Sequence, residues 1–270
     1  PRKRMRERAG YPTGRRVDLR RLMAFEADPR RYDELWMRAT IPDRREAAKL
    51  AGIDTLADFP RTGTRELTAD DYIYQIKRLA HPRVYSPIFG MMAAHIVGLK
   101  ELGQALQEAA KDLPEDAWID LDRFPLAGVE RVDRHTYRIT LIGKYPQFRY
   151  WLAMQFFAPV PREADRFYSQ PGMAGKNLTL DWYPVGTGPY MLAENNPNSR
   201  MVLARNPNFH GETYPCDGEA DDREAGLLAD CGKPLPLIDT VVLAREKESI
   251  PYWNKFLQGH YDASGIASDS

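Results

Sequence analysis

Val185-Gly186-Thr187-Gly188-Pro189-Tyr190, followed further on by Arg205-Asn206-Pro207-Asn208-Phe209, is the stretch on which the reading of this chain turns. Glycines and a proline set a rigid turn, and from Tyr190 onward the residues alternate as a β-strand does. Gly-x-Gly can also cradle a phosphate. A P-loop, however, needs a Lys-Ser/Thr pair after its last glycine, and Pro189-Tyr190 stands there instead. A dinucleotide fingerprint needs a helix next, and Met201-Val202-Leu203-Ala204 does not read as the start of one. The string is therefore read as a turn leading into a strand, with a second short strand at Met201–Ala204.

Around it the chain alternates helical and strand patterns. Thr68 is a good N-cap with Asp71 three residues on, and Tyr72, Ile76 and Leu79 then make an apolar stripe with Ile73 and Ala80 beside it. Pro82 stops that helix, and residues 81–87 form a constrained loop before an apolar, Met-rich run from Ile88 to Ala94. Lys100 to Asp112 reads as an amphipathic helix. Val129 to Ile142 reads as a hairpin turning at Asp133-Arg134, with Tyr137, Ile139 and Leu141 on one face. The aromatics Phe148, Tyr150, Trp151, Phe156 and Phe157 suit a helix packed on its sheet better than a stacking platform for a sugar or base. Pro159 and Pro161 mark a domain boundary. Thr240 to Arg245 is so evenly apolar that it is expected to be a central strand. A helix from Ser249 is closed by Gly259 as C-cap, and Tyr261-Asp262-Ala263 is expected to return to strand.

Bulk properties narrow the function classes. A chain of 270 residues, 43% hydrophobic, can bury a core in one or two domains. Its 38 basic and 38 acidic residues favour neither nucleic acid nor an acidic substrate. The basic residues of the first 21, from Arg2 to Arg21, face only Glu7 and Asp18; they are read as a solvated arm rather than a phosphate- or lipid-binding one. No stretch is long and apolar enough to span a membrane, and no apolar signal-peptide region follows the basic start. His81, His95, His135, His210 and His260 fall in no catalytic motif, and no nucleophile elbow is present. Asp70-Asp71 and Asp221-Asp222 sit where capping and solubility explain them, so no enzyme is expected. Cys216 and Cys231, the only cysteines, have no histidine pair nearby to complete a zinc shell; no metal or cofactor is expected.

The decisive string resembles that of the family 5 extracellular solute-binding proteins, the peptide- and nickel-binding receptors of ABC importers. Further matches run in the same order: Leu67-Thr68-Ala69-Asp70-Asp71 into Lys77-Arg78-Leu79, then Ser86-Pro87; His135 to Leu141; Phe157-Ala158-Pro159-Val160-Pro161-Arg162-Glu163; Pro236-Leu237-Ile238-Asp239; and Phe256-Leu257-Gln258-Gly259-His260-Tyr261-Asp262. The resemblance covers roughly residues 64–270 and leaves residues 1–63 as a poorly assigned basic and helical segment.

The resemblance implies an α/β (mixed α+β) fold, like a type II periplasmic binding protein, and within it the first lobe as in dipeptide-binding proteins. Residues 64–161 would be a first-lobe subdomain of helix and hairpin, and 162–270 part of the ligand-binding lobe; the chain reads as a fragment lacking the family's N-terminus and second lobe. It further implies a periplasmic, monomeric receptor that captures a peptide or related small solute and delivers it to an inner-membrane ABC permease, with no nucleic acid involved. The alternatives are a ligand-sensing domain of a transcriptional regulator, or a truncated lobe without independent binding. In the family the residue just after Ser86-Pro87 lies near ligand and is aromatic in some peptide receptors. Here Ile88 stands there, with Phe89 next and Tyr85 just before, and these three are candidate ligand contacts, against local core as the other reading. Ser264, Gly265 and Ile266, expected at a strand end, are the second candidate group. In the oxidising compartment so implied, Cys216 and Cys231 are expected to form a disulfide, stabilising by about 3 kcal/mol in the chain-entropy view, rather than remain free thiols.

Overall fold

The computed structural model describes residues 66–265, apart from 115–116, 171, 177, 208, 210–211 and 247–248. The segment read as a basic arm and polar helix, and Ile266, lie outside the described residues. Contacts divide the chain into two units: the first holds Glu66–Pro114 and Ile119–Val160, and the second runs on from Pro161 and includes residues 117–118. The division falls between Pro159 and Pro161, while the assignment of Trp118 to the second unit had no signal in the sequence.

In the first unit, α1 (Ala69–Arg78) starts where the sequence predicts, with Thr68 extended at the N-cap and its backbone N–H donating 2.9 Å to the Asp71 carboxylate. Its buried side includes Ile76 and reaches Leu79 and Ala80 just beyond its end. Tyr74 and Gln75 join it, and Gln75 donates to the Phe156 carbonyl at 2.8 Å, tying α1 to a turn 81 residues away. Lys77 makes a similar tie to the Leu121 carbonyl at 3.1 Å, and burial lowers its pKa. Then come α2 (Phe89–Ala93) and α3 (Leu99–Lys111), which buries Leu99, Leu102, Gly103 and Leu106 at helical spacing.

The predicted hairpin is present but short. Strand β1 (Val129–Arg131) pairs antiparallel with β2 (Tyr137–Ile139), Val129 opposite Ile139 and Glu130 opposite Arg138, whose charges pair across the strands. Tyr137, Ile139 and Leu141 pack on the core, as their shared face predicts. Gly128, just before β1, lies so close to Val97 that a Cβ would stand 2.3 Å from the Val97 carbonyl oxygen. The aromatic run folds as the single turn α4 (Phe148–Trp151) and a 3-10 turn, Gln155–Phe157. Phe148 and Phe157 meet edge to face at 6.0 Å and complete the core.

The second unit opens with α5 (Arg162–Tyr168), whose Ala164, Phe167 and Tyr168 form a small core with Met173 and Leu178. Arg162 and Arg166 both lie over the Trp118 ring, at 5.2 and 5.1 Å. Its sheet consists of β3 (Tyr190–Asn196), β4 (Arg200–Arg205) and β5 (Thr240–Ala244), antiparallel throughout, in the order β3-β4-β5. The register shifts between Leu192 and Glu194. The central place expected for Thr240 to Arg245 is not found in the described sheet. Thr240–Ala244 is not a central strand among the described residues but an edge, with Val242 and Leu243 about half exposed (55% and 49%). Continuous apolar character predicts burial on both faces, and the described sheet covers neither face fully.

Between β4 and β5 the chain makes a long excursion. Cys216 and Cys231 are joined by a disulfide, Cα to Cα 4.7 Å, closing a loop that contains α6 (Ala220–Glu224). Backbone bonds between Tyr214 and the 232–233 pair draw the loop's two ends together. After β5, α7 (Ser249–Leu257) ends at Gly259, which takes the left-handed conformation (φ 77°) of a C-cap glycine.

Candidate functional site

The decisive string is built as a staple. Asn206, 4% exposed, donates through Nδ2 to the Gly188 carbonyl at 2.8 Å, and through its backbone N–H to the Pro189 carbonyl, also at 2.8 Å. Tyr190 opposes Arg205 in the ladder and reaches the Ile238 carbonyl through its hydroxyl at 3.0 Å. The Arg205 N–H donates to the Asp239 carbonyl at 2.8 Å. Glycine turn, Arg-Asn pair and Leu-Ile-Asp run thus fasten β3, β4 and β5 to one another. The Gly188 carbonyl and that of Pro189 beside it are both engaged by Asn206, which fixes the turn against the start of β3.

The candidate residues of the first unit have different fates. Tyr85 is 85% exposed and, though not glycine, holds φ at 51°. A tyrosine kept in the left-handed region costs about 1–3 kcal/mol and persists only where its surroundings impose it. Here the loop before it is pinned by bonds from the Arg83 and Val84 N–H groups to His81, and by the Arg83 guanidinium to the Pro114 carbonyl at 2.8 Å. Ile88, by contrast, is 6% exposed and belongs to the core with Met92 and Ile96. Phe89 is half-buried, its ring so close to α3 that a Cβ on Gly103 would stand 2.5 Å away. Ile88 and Phe89 are thus engaged in packing, and Tyr85 is the side chain presented to solvent.

In the second unit, Ser264 is half-buried, with its hydroxyl donating to the Gly265 carbonyl at 3.0 Å, and Gly265 is exposed. The strand expected at Tyr261-Asp262-Ala263 is absent among the described residues. No described strand lies alongside to supply a ladder, and side chains hold the segment instead. Glu246, just after β5, is ion-paired with Lys255 of α7 and accepts from the Tyr261 hydroxyl at 2.5 Å. The Tyr252 ring lies 5.4 Å from that of Tyr261, and the Tyr252 hydroxyl donates to the Ala263 carbonyl at 3.3 Å. The Lys255 hydrogen bond, then that of Tyr261, holds the Glu246 carboxyl below its ordinary range, and the same carboxylate raises the pKa of both partners.

Sequence reasoning missed two features. A mostly apolar groove of about 600 Å³ in the first unit is lined by Ala93, Val97, Leu102, Phe124 and Ile142 together with the charged Lys100 and Glu101, and includes none of the candidate residues. Small and apolar residues dispersed over fifty positions leave no motif. The second is Glu66, which lies 2.7 Å from His135 Nε2 and pairs with Arg134; the His135 hydrogen bond chiefly lowers its pKa. This triad fastens the hairpin turn to the start of the described chain. Among the described residues no three His, Cys, Asp or Glu side chains gather as a metal site would require, and no helix is long and apolar enough to cross a membrane.

Comparison with known proteins gives consistent relatives. Residues 62–270 match the profile of the bacterial extracellular solute-binding proteins, family 5 Middle. The periplasmic oligopeptide-binding protein OppA of Salmonella typhimurium is 29% identical over 144 residues, 53% of this chain and 23% of that protein. The periplasmic murein peptide-binding protein MppA of Escherichia coli is 31% identical over 147 residues, 53% of this chain and 22% of that protein. The crystal structure of a periplasmic oligopeptide-binding protein from Borrelia burgdorferi superimposes with a TM-score of 0.49 at 20% identity, covering 72% of this chain and 31% of its own. The chain therefore aligns with less than a quarter of the length of these curated relatives. With 62–270 matched, well over half of its residues, the chain belongs to the bacterial extracellular solute-binding proteins, family 5.

Proposed function

We propose that this chain serves in a periplasmic receptor that captures peptides, without catalysing their conversion, and delivers them as a monomer to an inner-membrane ABC permease. The observation that carries this reading is the family match over residues 62–270, and the similarity to two periplasmic proteins named for binding peptides supports the choice of ligand. Capture works by closure around the ligand, whose backbone is held by main-chain hydrogen bonds in the manner of an added strand while side-chain pockets stay permissive. Tyr85 supplies an exposed aromatic surface, and Ser264, Gly265 and Ile266 supply backbone groups. Ile88 and Phe89 act from beneath, by fixing the turn that presents Tyr85.

The test is calorimetry on the purified product of the full reading frame that encodes this chain, with tri-alanine and tetra-alanine as probes and the free amino acid as control. Saturable one-to-one binding of a peptide, weakened by Tyr85→Ala, is the expected result. No saturable heat with either probe or with a mixed tripeptide pool overturns the peptide reading.

A further inference from the structure

The segment that enters Ser264 is held by side chains, and its shorter bond, from the Tyr261 hydroxyl, ends on the carboxylate that also pairs with Lys255. Glu246 stands at the exit of β5, Lys255 on the last turns of α7, and Tyr261 past the Gly259 cap, so a single side chain joins three successive pieces of the chain. The Glu246 side chain is 23% exposed and that of Lys255 is 43% exposed, so water only partly competes for the carboxylate. Tyr252 adds the only other described polar bond to this return segment, at the Ala263 carbonyl. Gly265 has no side chain to anchor it, and in the described residues neither the Ser264 nor the Gly265 N–H has a backbone partner. Left to itself, such a stretch would sample many conformations, and a ligand bound by its backbone would have to order it at a cost in affinity.

We infer that Glu246, by gripping Tyr261 and Lys255 at once, is a positioning residue that pre-orders Ala263–Gly265 for contact with the backbone of a bound peptide. The inference rests on the proposed peptide-binding function. It assigns to Glu246 and Tyr261 a role in affinity without contact with the ligand: they set the conformational freedom of residues that touch it. Loss of the Tyr261 hydroxyl alone loosens the return segment, which keeps only the longer Tyr252 bond at Ala263, while leaving α7 and the β3-β4-β5 sheet in place.

The experiment uses the full reading frame, labelled with nitrogen-15 at alanine and glycine, in wild-type, Tyr261→Phe, Glu246→Ala and Glu246→Gln forms. Backbone order parameters at Ala263 and Gly265 are measured without ligand, and tri-alanine affinity is measured by calorimetry on the same samples. Order parameters are expected to fall from about 0.85 to about 0.6 or below in Tyr261→Phe and Glu246→Ala, with sheet residues such as Ala204 unchanged. Affinity should fall about tenfold in step, the size of one hydrogen bond to a charged group, with Glu246→Gln, which retains an acceptor for Tyr261, recovering part of both. Unchanged order parameters overturn the latch. Freed residues with unchanged affinity overturn their role in binding while leaving the peptide reading intact. Wild-type protein that binds no tri-alanine removes the ligand half of the inference together with the reading beneath it, and the order parameters still decide whether the latch exists.

Discussion

Asn206 is polar and almost wholly buried, which is costly unless its bonds are met, and its Nδ2 meets the Gly188 carbonyl across the start of the sheet. Replacing it with alanine leaves that carbonyl without its side-chain donor. Asn206→Ala should therefore lose about 1–3 kcal/mol, read as a lower urea midpoint with an unchanged slope. This residue was legible in sequence because the Gly-x-Gly turn and the Arg-Asn pair sit at fixed places about a strand pair. Tyr85 was legible only as one of three neighbours. Nothing in a Tyr-Ser-Pro string announces a positive φ, which arises from bonds that His81 and Arg83 make around it. Glu66 carries a pH consequence. Its folded pKa lies below the ordinary value of 4.5, so its contribution is complete above the unfolded value and disappears as pH falls through the folded one. Acid titration of thermal stability should show a loss below about pH 4.5 that is shallower in Glu66→Gln.

At the scale of elements, helix boundaries were the most readable feature. Thr68 with Asp71 marks the start of α1, and the helix read over Lys100 to Asp112 lies one residue from α3 at either end, because both signals are local. The sheet was harder. Apolar residues along Thr240–Ala244 say that a strand forms but not how many neighbours it has, since pairing is decided by distant chain. The return at Tyr261 failed for the same reason, its order coming from Glu246 fifteen residues earlier. Close approach of elements is also invisible in sequence until geometry shows it, as at Gly128. Gly128→Ala forces a methyl into the Val97 carbonyl, so either the hairpin or the 94–98 turn must move. We expect about 1–3 kcal/mol of destabilisation, with a loss of hairpin amide protection from exchange larger than that in the β3-β4 pair.

For the whole molecule, fold class and family were readable because six matched stretches recur in one order, whereas ligand identity was not. A peptide site buries most of its ligand's surface, and the described candidate residues are only exposed Tyr85 in one unit and a short glycine-bearing segment in the other. Residues 1–270 expressed alone should therefore bind tri-alanine very weakly, with no saturation at millimolar concentration; micromolar affinity by calorimetry would contradict this.

The position of β5 has a practical consequence for anyone handling that chain. Edge strands of soluble proteins are ordinarily blunted by charge or proline, and Val241-Val242-Leu243-Ala244 has neither. Among the described residues no strand pairs with its outer edge, and with its half-exposed valine and leucine it makes a template on which further copies can add, so the isolated chain should grow into oligomers as its concentration rises. Dynamic light scattering should show that growth, and Val242→Lys should suppress it by placing a charge where the next strand would dock, leaving the fold of the rest untouched.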